Sequence, residues 1–516
     1  MSILYLMKAS LLEESYELIK SLSSTEKRYF KLFTRFQDGD KSYLKLFDII
    51  DKQSTYDEKK INQKFISQNK VSNLPAVKKY LFDQIIASIK SYGAYKDLDS
   101  DHSDLIESYK VLQYKGLHGQ SGRLLKKIKN ITLQDDAFIR HFYVLLLEYL
   151  REMFNTDDSN VNIVKQILEE KQHILNIIQN YTMVGDPFSY QRLYLRKKLY
   201  CRTKKEKDEL TMLMKPVLQT TENDMMSRTA LGLRNMGLCD YYMAIGNPRK
   251  AFEISKTYLE TRKNAGGAEK IDSGILTEHL QHLWLCVRSG IYDSFEENIN
   301  RFKTLIDPIR NQQKFTLGYE RWYNYSFIYY NRTGQFAKAL ELIDSEKKTM
   351  NRVGNDFSIK AKIMLWYFTA YNHYAMKNYK EALKMIQKIM NNTNQEMEEF
   401  SFAKLLMMFI HYDLKNYELL EYQVRSYQRL MEKTGRQYKC EKIIIDFFKA
   451  VTVTDSKKMR LQRLQEVKQQ VHALFKTYYE RGISFYFDLQ SWIESELSGT
   501  GFAQMVQLVN KRTKKI

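Results

Sequence analysis

Gly246, Gly290 and Gly334 stand 44 residues apart, twice over, and this period limits the chain to architectures built from a repeated unit. Each glycine follows one aromatic or aliphatic helical stretch and precedes another. A helix must end there and the chain must turn, which is the task of a left-handed C′ glycine. The unit is therefore a helix hairpin. Aligned at the joints, the segments read GNPRKAFEI from 246, GIYDSFEEN from 290, GQFAKALEL from 334, KNYKEALKM from 377 and KNYELLEYQ from 415. Five residues past each joint stand Ala251, Phe295, Ala339, Ala382 and Leu420, at steps of 44, 44, 43 and 38. A small residue at that point lets the second helix lie close to the first, and Tyr292, Phe336, Tyr379 and Tyr417, two past the joint, can plug the gap between hairpins. The second helices carry one apolar stripe, such as Phe336, Ala339, Leu340 and Ile343, or Ala382, Leu383, Ile386 and Ile389. Such a helix cannot bury its stripe alone and must stack on neighbours.

Composition points the same way. Five prolines and 20 glycines in 516 residues leave little of the punctuation that strands require. With 44% hydrophobic and 13% aromatic side chains, disorder is excluded as the dominant state. The reading is an all-α chain: an N-terminal helical bundle over 1–95, divergent helix hairpins over 96–227, regular repeats over 228–435, and C-terminal capping helices with a basic tail over 436–516. In the bundle the pattern predicts helices over 25–36, 42–51, 57–65 and 74–92, with Pro75 in the first turn of the last. The next stretch gives helices over 104–114, 122–129, 136–154, 161–180 and 187–200. The cap begins with a long helix over 456–481, interrupted by Gly482, and continues over 485–497 and 502–509.

The repeats resemble the tetratricopeptide repeat family. The fourth unit carries Trp366, Ala370 and the turn Tyr379-Lys-Glu-Ala382-Leu383, and the third carries Tyr323, Phe327, Tyr330, Gly334 and Ala339. The resemblance covers Arg228 to Lys433, and Leu105 to Asn223 by helix pairing alone. It departs from the family in its longer period, 44 residues against about 34, and in Phe295 where alanine is usual. The resemblance implies a right-handed superhelical solenoid whose first helices line a concave groove. Family groove positions fall on Gln281, Trp284 and Arg288 in the second unit, on Arg321, Asn324, Ile328 and Asn331 in the third, and on Met364, Tyr367 and Tyr371 in the fourth. Asparagine and arginine suit the amides and carboxylates of an extended peptide, and the tyrosines and tryptophan offer rigid contact area. The alternative is that these aromatics are core between helices, and RWYNYSFIYYN over 321–331 spreads its rings round the whole helix, which fits a buried inner helix better.

Recognisable catalytic motifs are missing: no segment reads GxxxxGK, GxSxG or HExxH. Glu278, His279 and His282 could form part of a zinc site, but two histidines on an exposed helix face need no metal. The string KDLDSDH over 96–102 resembles a calcium loop but has His102 where glycine is required and Ser108 where a glutamate must stand, so it reads as a helix start. The paired carboxylates Glu13–Glu14 and Glu398–Glu399 read as solvated charge. Cys201, Cys239, Cys286 and Cys440 form no CxxC pair and read as reduced thiols. No apolar run approaches the roughly 20 residues of a membrane span, and the N-terminus lacks a secretory pattern. The expectation is a cytoplasmic, non-catalytic scaffold or adaptor without a cofactor, binding a protein or peptide. The formal charge of +20 favours acidic partners. Bacterial peptide-sensing regulators are similar in outline, with residues 1–95 as the effector. Nucleic acid is a further candidate, through the helices flanking the joint 66–73 or through basic clusters at 196–198, 202–207, 457–460 and 511–515.

Overall fold

The structure is a computed structural model that describes residues 10–35, 41–68, 74–92, 98–154, 161–195, 200–201, 203–264, 273–392, 398–434, 439–453 and 456–513. Among these residues every regular element is helical. The chain divides into two compact units, Met1–Lys171 and Gln172–Ile516.

The first unit opens with α1 (Leu11–Ser21), α2 (Ser24–Phe33), α3 (Ser42–Asp51), α4 (Glu58–Gln68) and α5 (Leu74–Tyr92). Helix α5 packs on α1, α2 and α3, and the five enclose a core that includes Phe30, Phe47, Ile61, Phe65 and Leu81. A capping box of Ser23 and Glu26 fixes the start of α2, each satisfying an orphan N–H of the other's turn. Helix α4 runs to Gln68, past the expected end at Phe65, and residues 69–73 of the joint lie outside the described residues. Next come α6 (Leu98–Tyr114), α7 (His118–Gln134) and α8 (Phe138–Met153), each packed on the next. Residues 98–102 of the calcium-like string open α6, with His102 buried and 3.0 Å from the Asp135 carboxylate; residues 96–97 and the side chains of 98–100 lie outside the described residues.

Helix α9 (Val161–Leu195) is continuous through Pro187, where the sequence predicts two helices. A proline removes one i→i−4 bond. Burial on both sides of it, at Val184 and at Gln191, whose amide donates to the Gly237 carbonyl at 3.2 Å, holds the helix together.

The second unit continues with α10 (Lys204–Leu218) and then in pairs: α11 (Arg228–Ala244) with α12 (Pro248–Asn264), α13 (Ser273–Ser289) with α14 (Phe295–Ile306), and α15 (Gln312–Arg332) with α16 (Phe336–Ser345) and the short α17 (Lys347–Val353). The pairs α18 (Ile359–Ala375) with α19 (Tyr379–Asn392), α20 (Glu398–Asp413) with α21 (Tyr417–Thr434), and α22 (Lys439–Val453) with α23 (Lys457–Leu474) follow. The chain closes with α24 (Ile483–Tyr486), α25 (Leu489–Ser498) and α26 (Phe502–Thr513). The predicted helix over 456–481 thus stops at Leu474. Glu480 explains the break, for its carboxylate turns inward, buried, and accepts the backbone N–H groups of Lys439 and Cys440 at the start of α22.

Candidate binding face

The joints carry the repeat. Gly246, Gly290 and Gly334 have φ of 89°, 75° and 76°, and the aligned Lys377 and Lys415 adopt the same left-handed conformation at 62° and 58°. At four of the five joints the next N–H reaches back to close the helix, as Asn378 does to the His373 carbonyl at 2.7 Å. Ala251, Phe295, Ala339, Ala382 and Leu420 are all fully buried. The plugging aromatics reach the next hairpin: Tyr292 packs edge-on against Tyr329 at 5.0 Å, Phe336 lies 6.0 Å from Tyr371, and Tyr379 donates to the Asp413 carboxylate at 3.0 Å.

The first helices of successive hairpins, α11, α13, α15, α18 and α20, also pack directly on one another and so form a layer of their own. Helix α15 is buried almost throughout, from Phe315 to Asn331. A helix apolar all round needs cover on both sides, and the second side is covered by the chain itself. Residues 483–510 fold back across the face of the first helices. The Phe485 ring meets Trp284 of α13 at 6.1 Å and Phe368 of α18 at 5.7 Å. Tyr486 lies edge-on to Tyr367 at 5.3 Å and stacks on Phe402 of α20 at 4.1 Å. Phe487 stacks on Phe409 at 4.1 Å and meets Tyr371 at 6.0 Å. Helix α26 settles on the third joint, where Gln507 donates to the Gly334 carbonyl at 2.8 Å and Asn510 to that of Arg332 at 3.1 Å.

This arrangement decides where the anticipated groove residues stand. Tyr367 and Tyr371 do face out from the first helices, but both are buried under the returning segment. The Tyr367 hydroxyl donates to the main-chain carbonyl of Tyr486 at 3.2 Å, and burial pushes both phenols well above the ordinary tyrosine range. Trp284 is half-buried between Tyr325 and Phe485. Arg288 is buried, its guanidinium 4.6 Å from the Phe485 ring and donating to the Tyr200 hydroxyl at 2.6 Å. Gln281 donates to Asp240 at 2.8 Å and accepts from Arg192 at 3.3 Å. Burial raises the Asp240 carboxyl, and Arg192 opposes that rise. Asn324 and Asn331 are buried, each amide donating to a carbonyl one turn back in its own helix, those of Glu320 and Phe327. Ile328 and Met364 are buried in the same core. Arg321 remains open, its side chain 41% exposed and 3.7 Å from Glu320.

Other residues that sequence reasoning passed over matter here. Glu320, buried in α15, accepts from the backbone N–H and the hydroxyl of Ser358 at 2.7 and 3.1 Å and so anchors the start of α18. The run Phe485-Tyr486-Phe487 was the available signal for the returning segment, since three adjacent rings cannot share one buried helix face. The histidines of α13 are not on an exposed face: His282 is buried between the hydroxyls of Ser255 and Ser294, at 3.1 and 2.9 Å, and His279 bonds the Ile275 carbonyl. Glu278 accepts from Tyr258 at 2.8 Å. Glu399 is likewise buried rather than solvated. Among the described residues no helix is long and apolar enough to cross a membrane, and no group of three or more His, Cys, Asp or Glu is placed to hold a metal ion. No protein-family model, curated protein or solved structure matches the chain.

Proposed function

We propose that the chain is a non-catalytic, cytoplasmic scaffold of tetratricopeptide type, its hairpins stacked as a right-handed superhelix, and that the face of its first helices takes up a protein or peptide segment. The observation that carries this reading is the returning segment. Rings from three successive residues enter gaps between α13, α18 and α20, and a side-chain hydroxyl of the face bonds a main-chain carbonyl of the segment. Those are two interactions by which a groove holds a bound segment, pockets for side chains and a hydrogen bond to the backbone. Residues 483–498 thereby stand in for a partner segment, and a partner must compete with them. Arg321 and the +20 surplus favour an acidic partner.

The test uses a labelled peptide of residues 480–498. It binds saturably to the full chain carrying Phe485→Ala, Tyr486→Ala and Phe487→Ala, and at least about tenfold more weakly to wild type, whose own segment occupies the face. Absence of saturable binding to the variant, with its helical signal intact, counts against the reading.

A second reading, a regulator with a separate effector, draws on the self-contained core of residues 11–92. Deleting 1–95 would then abolish output while peptide binding persists.

A further inference from the structure

A half-open cavity of about 350 Å³ lies in the second unit where the joint after α13 meets the returning segment. Arg288, Arg332, His472, Lys476 and Arg481 line it, and no aspartate or glutamate is among its described lining residues. Cations gathered in one cavity repel each other, more strongly where water is partly excluded. Their grouping is therefore a cost that a bound anion offsets. The guanidiniums are also held in place. Arg332 donates to the Val287 carbonyl at 2.7 Å and rests 5.5 Å from the Phe485 ring, and Arg481 donates to the Phe475 carbonyl. Those acceptors are neutral carbonyls, so the charge of each group is not cancelled, and a guanidinium with one N–H engaged keeps others in its fork.

We propose that this cavity binds a small molecule through a phosphoryl dianion, either inorganic phosphate or a phosphomonoester metabolite. A phosphoryl group carries close to two negative charges at neutral pH and three acceptor oxygens, which match paired guanidiniums and a lysine. The cavity stands at the small end of ligand sites, of about 300–1,000 Å³. Its cations come from two sources, Arg288 and Arg332 from the first helices and Lys476 and Arg481 from the stretch between α23 and α24 that leads into the returning segment. The anion therefore clamps that segment onto the face. This site stands or falls apart from the segment-binding reading, because its ligand is titrated with no partner present.

Calorimetric titration and thermal unfolding of the full chain with inorganic phosphate, pyrophosphate and adenosine monophosphate, against chloride and adenosine at equal ionic strength, test it. The expected result is saturable binding with a raised melting temperature, and slower hydrogen exchange over 478–490. Arg332→Gln and Arg481→Gln each weaken binding by about tenfold or more, the range for a lost charge-assisted hydrogen bond. Lys476→Gln, on an exposed side chain, weakens it too without endangering the fold. Tighter binding of the nucleotide than of phosphate identifies a phosphomonoester; equal binding identifies phosphate. No saturable binding beyond chloride, or affinity unchanged in all three variants, overturns the proposal.

Discussion

Gly334→Ala separates two contributions of one residue. Its φ of 76° alone makes alanine unfavourable, by about 1–2 kcal/mol for an L-residue in the left-handed region. A methyl group there would also stand 2.8 Å from Gln507 Cγ, 3.2 Å from Val506 Cγ1 and 3.1 Å from the Gln507 backbone nitrogen. The side-chain atom can swing away, but the backbone nitrogen belongs to α26 and moves only with that helix, adding about 1–3 kcal/mol of overpacking. The sum is about 2–5 kcal/mol. Two joints supply controls at the same conformation. Gly499, φ 73°, has nothing within 4 Å of the added methyl, and Gly290, φ 75°, has only the Arg332 guanidinium at 3.4 Å. Gly499→Ala and Gly290→Ala should therefore cost about 1–2 kcal/mol each. Urea unfolding reads the totals, and limited proteolysis reads the consequence, early cleavage within 499–513 in Gly334→Ala alone. Equal losses in all three variants would refute the contact between α26 and the third joint.

Three further outcomes rest on the same geometry. Lys415→Gly relieves a lysine held at φ 58° and should raise the unfolding free energy by about 1 kcal/mol, the left-handed penalty less the added chain entropy of glycine; a loss of stability contradicts it. Tyr367→Phe keeps the ring and removes only the bond to the Tyr486 carbonyl, costing about 1 kcal/mol in urea unfolding, and no change places the hydroxyl elsewhere. Burial first, and Glu496 second, raise Asp413 to about 7 from an ordinary 3.8. The folded chain then binds the extra proton between those values, so stability falls as pH rises from about 4 to 7, by up to about 1.4 kcal/mol per unit. Asp413→Asn should flatten that slope in urea midpoints taken across the window; an unaltered slope removes Asp413 as its source.

The hairpins were legible in the sequence because their signals are local. A helix ending in glycine, a small or apolar residue five positions on and an aromatic at two positions on each act within one turn or between adjacent helices, and all five buried positions stand five residues past an aligned joint, although the last two steps shorten to 43 and 38. Lys377 and Lys415 were recoverable only through that register, since lysine by itself gives no sign of a left-handed backbone. The covering of the face was not legible. Tyr367 meets Tyr486 across 119 residues, and no local pattern says which distant segment fills a gap. For the same reason Tyr371 and Trp284 could be read both as groove and as core. The stretch 161–200 reads in sequence as two helices, the second starting at Pro187, whereas packing on both sides of that proline carries α9 through. The stripe over 456–481 misled because a buried glutamate at 480 outweighed helical periodicity in the last turns.

Hydrogen exchange of the intact chain tests most directly whether the first helices are covered by their own C-terminal segment. Residues 483–510 should be protected to the same order as α15 and α18. Replacing Phe485, Tyr486 and Phe487 by alanine then speeds exchange in that segment and, with it, along α13 and α18. Exchange of 483–510 at the rate of an unfolded peptide in wild type, with α15 and α18 fully protected, would contradict the covering.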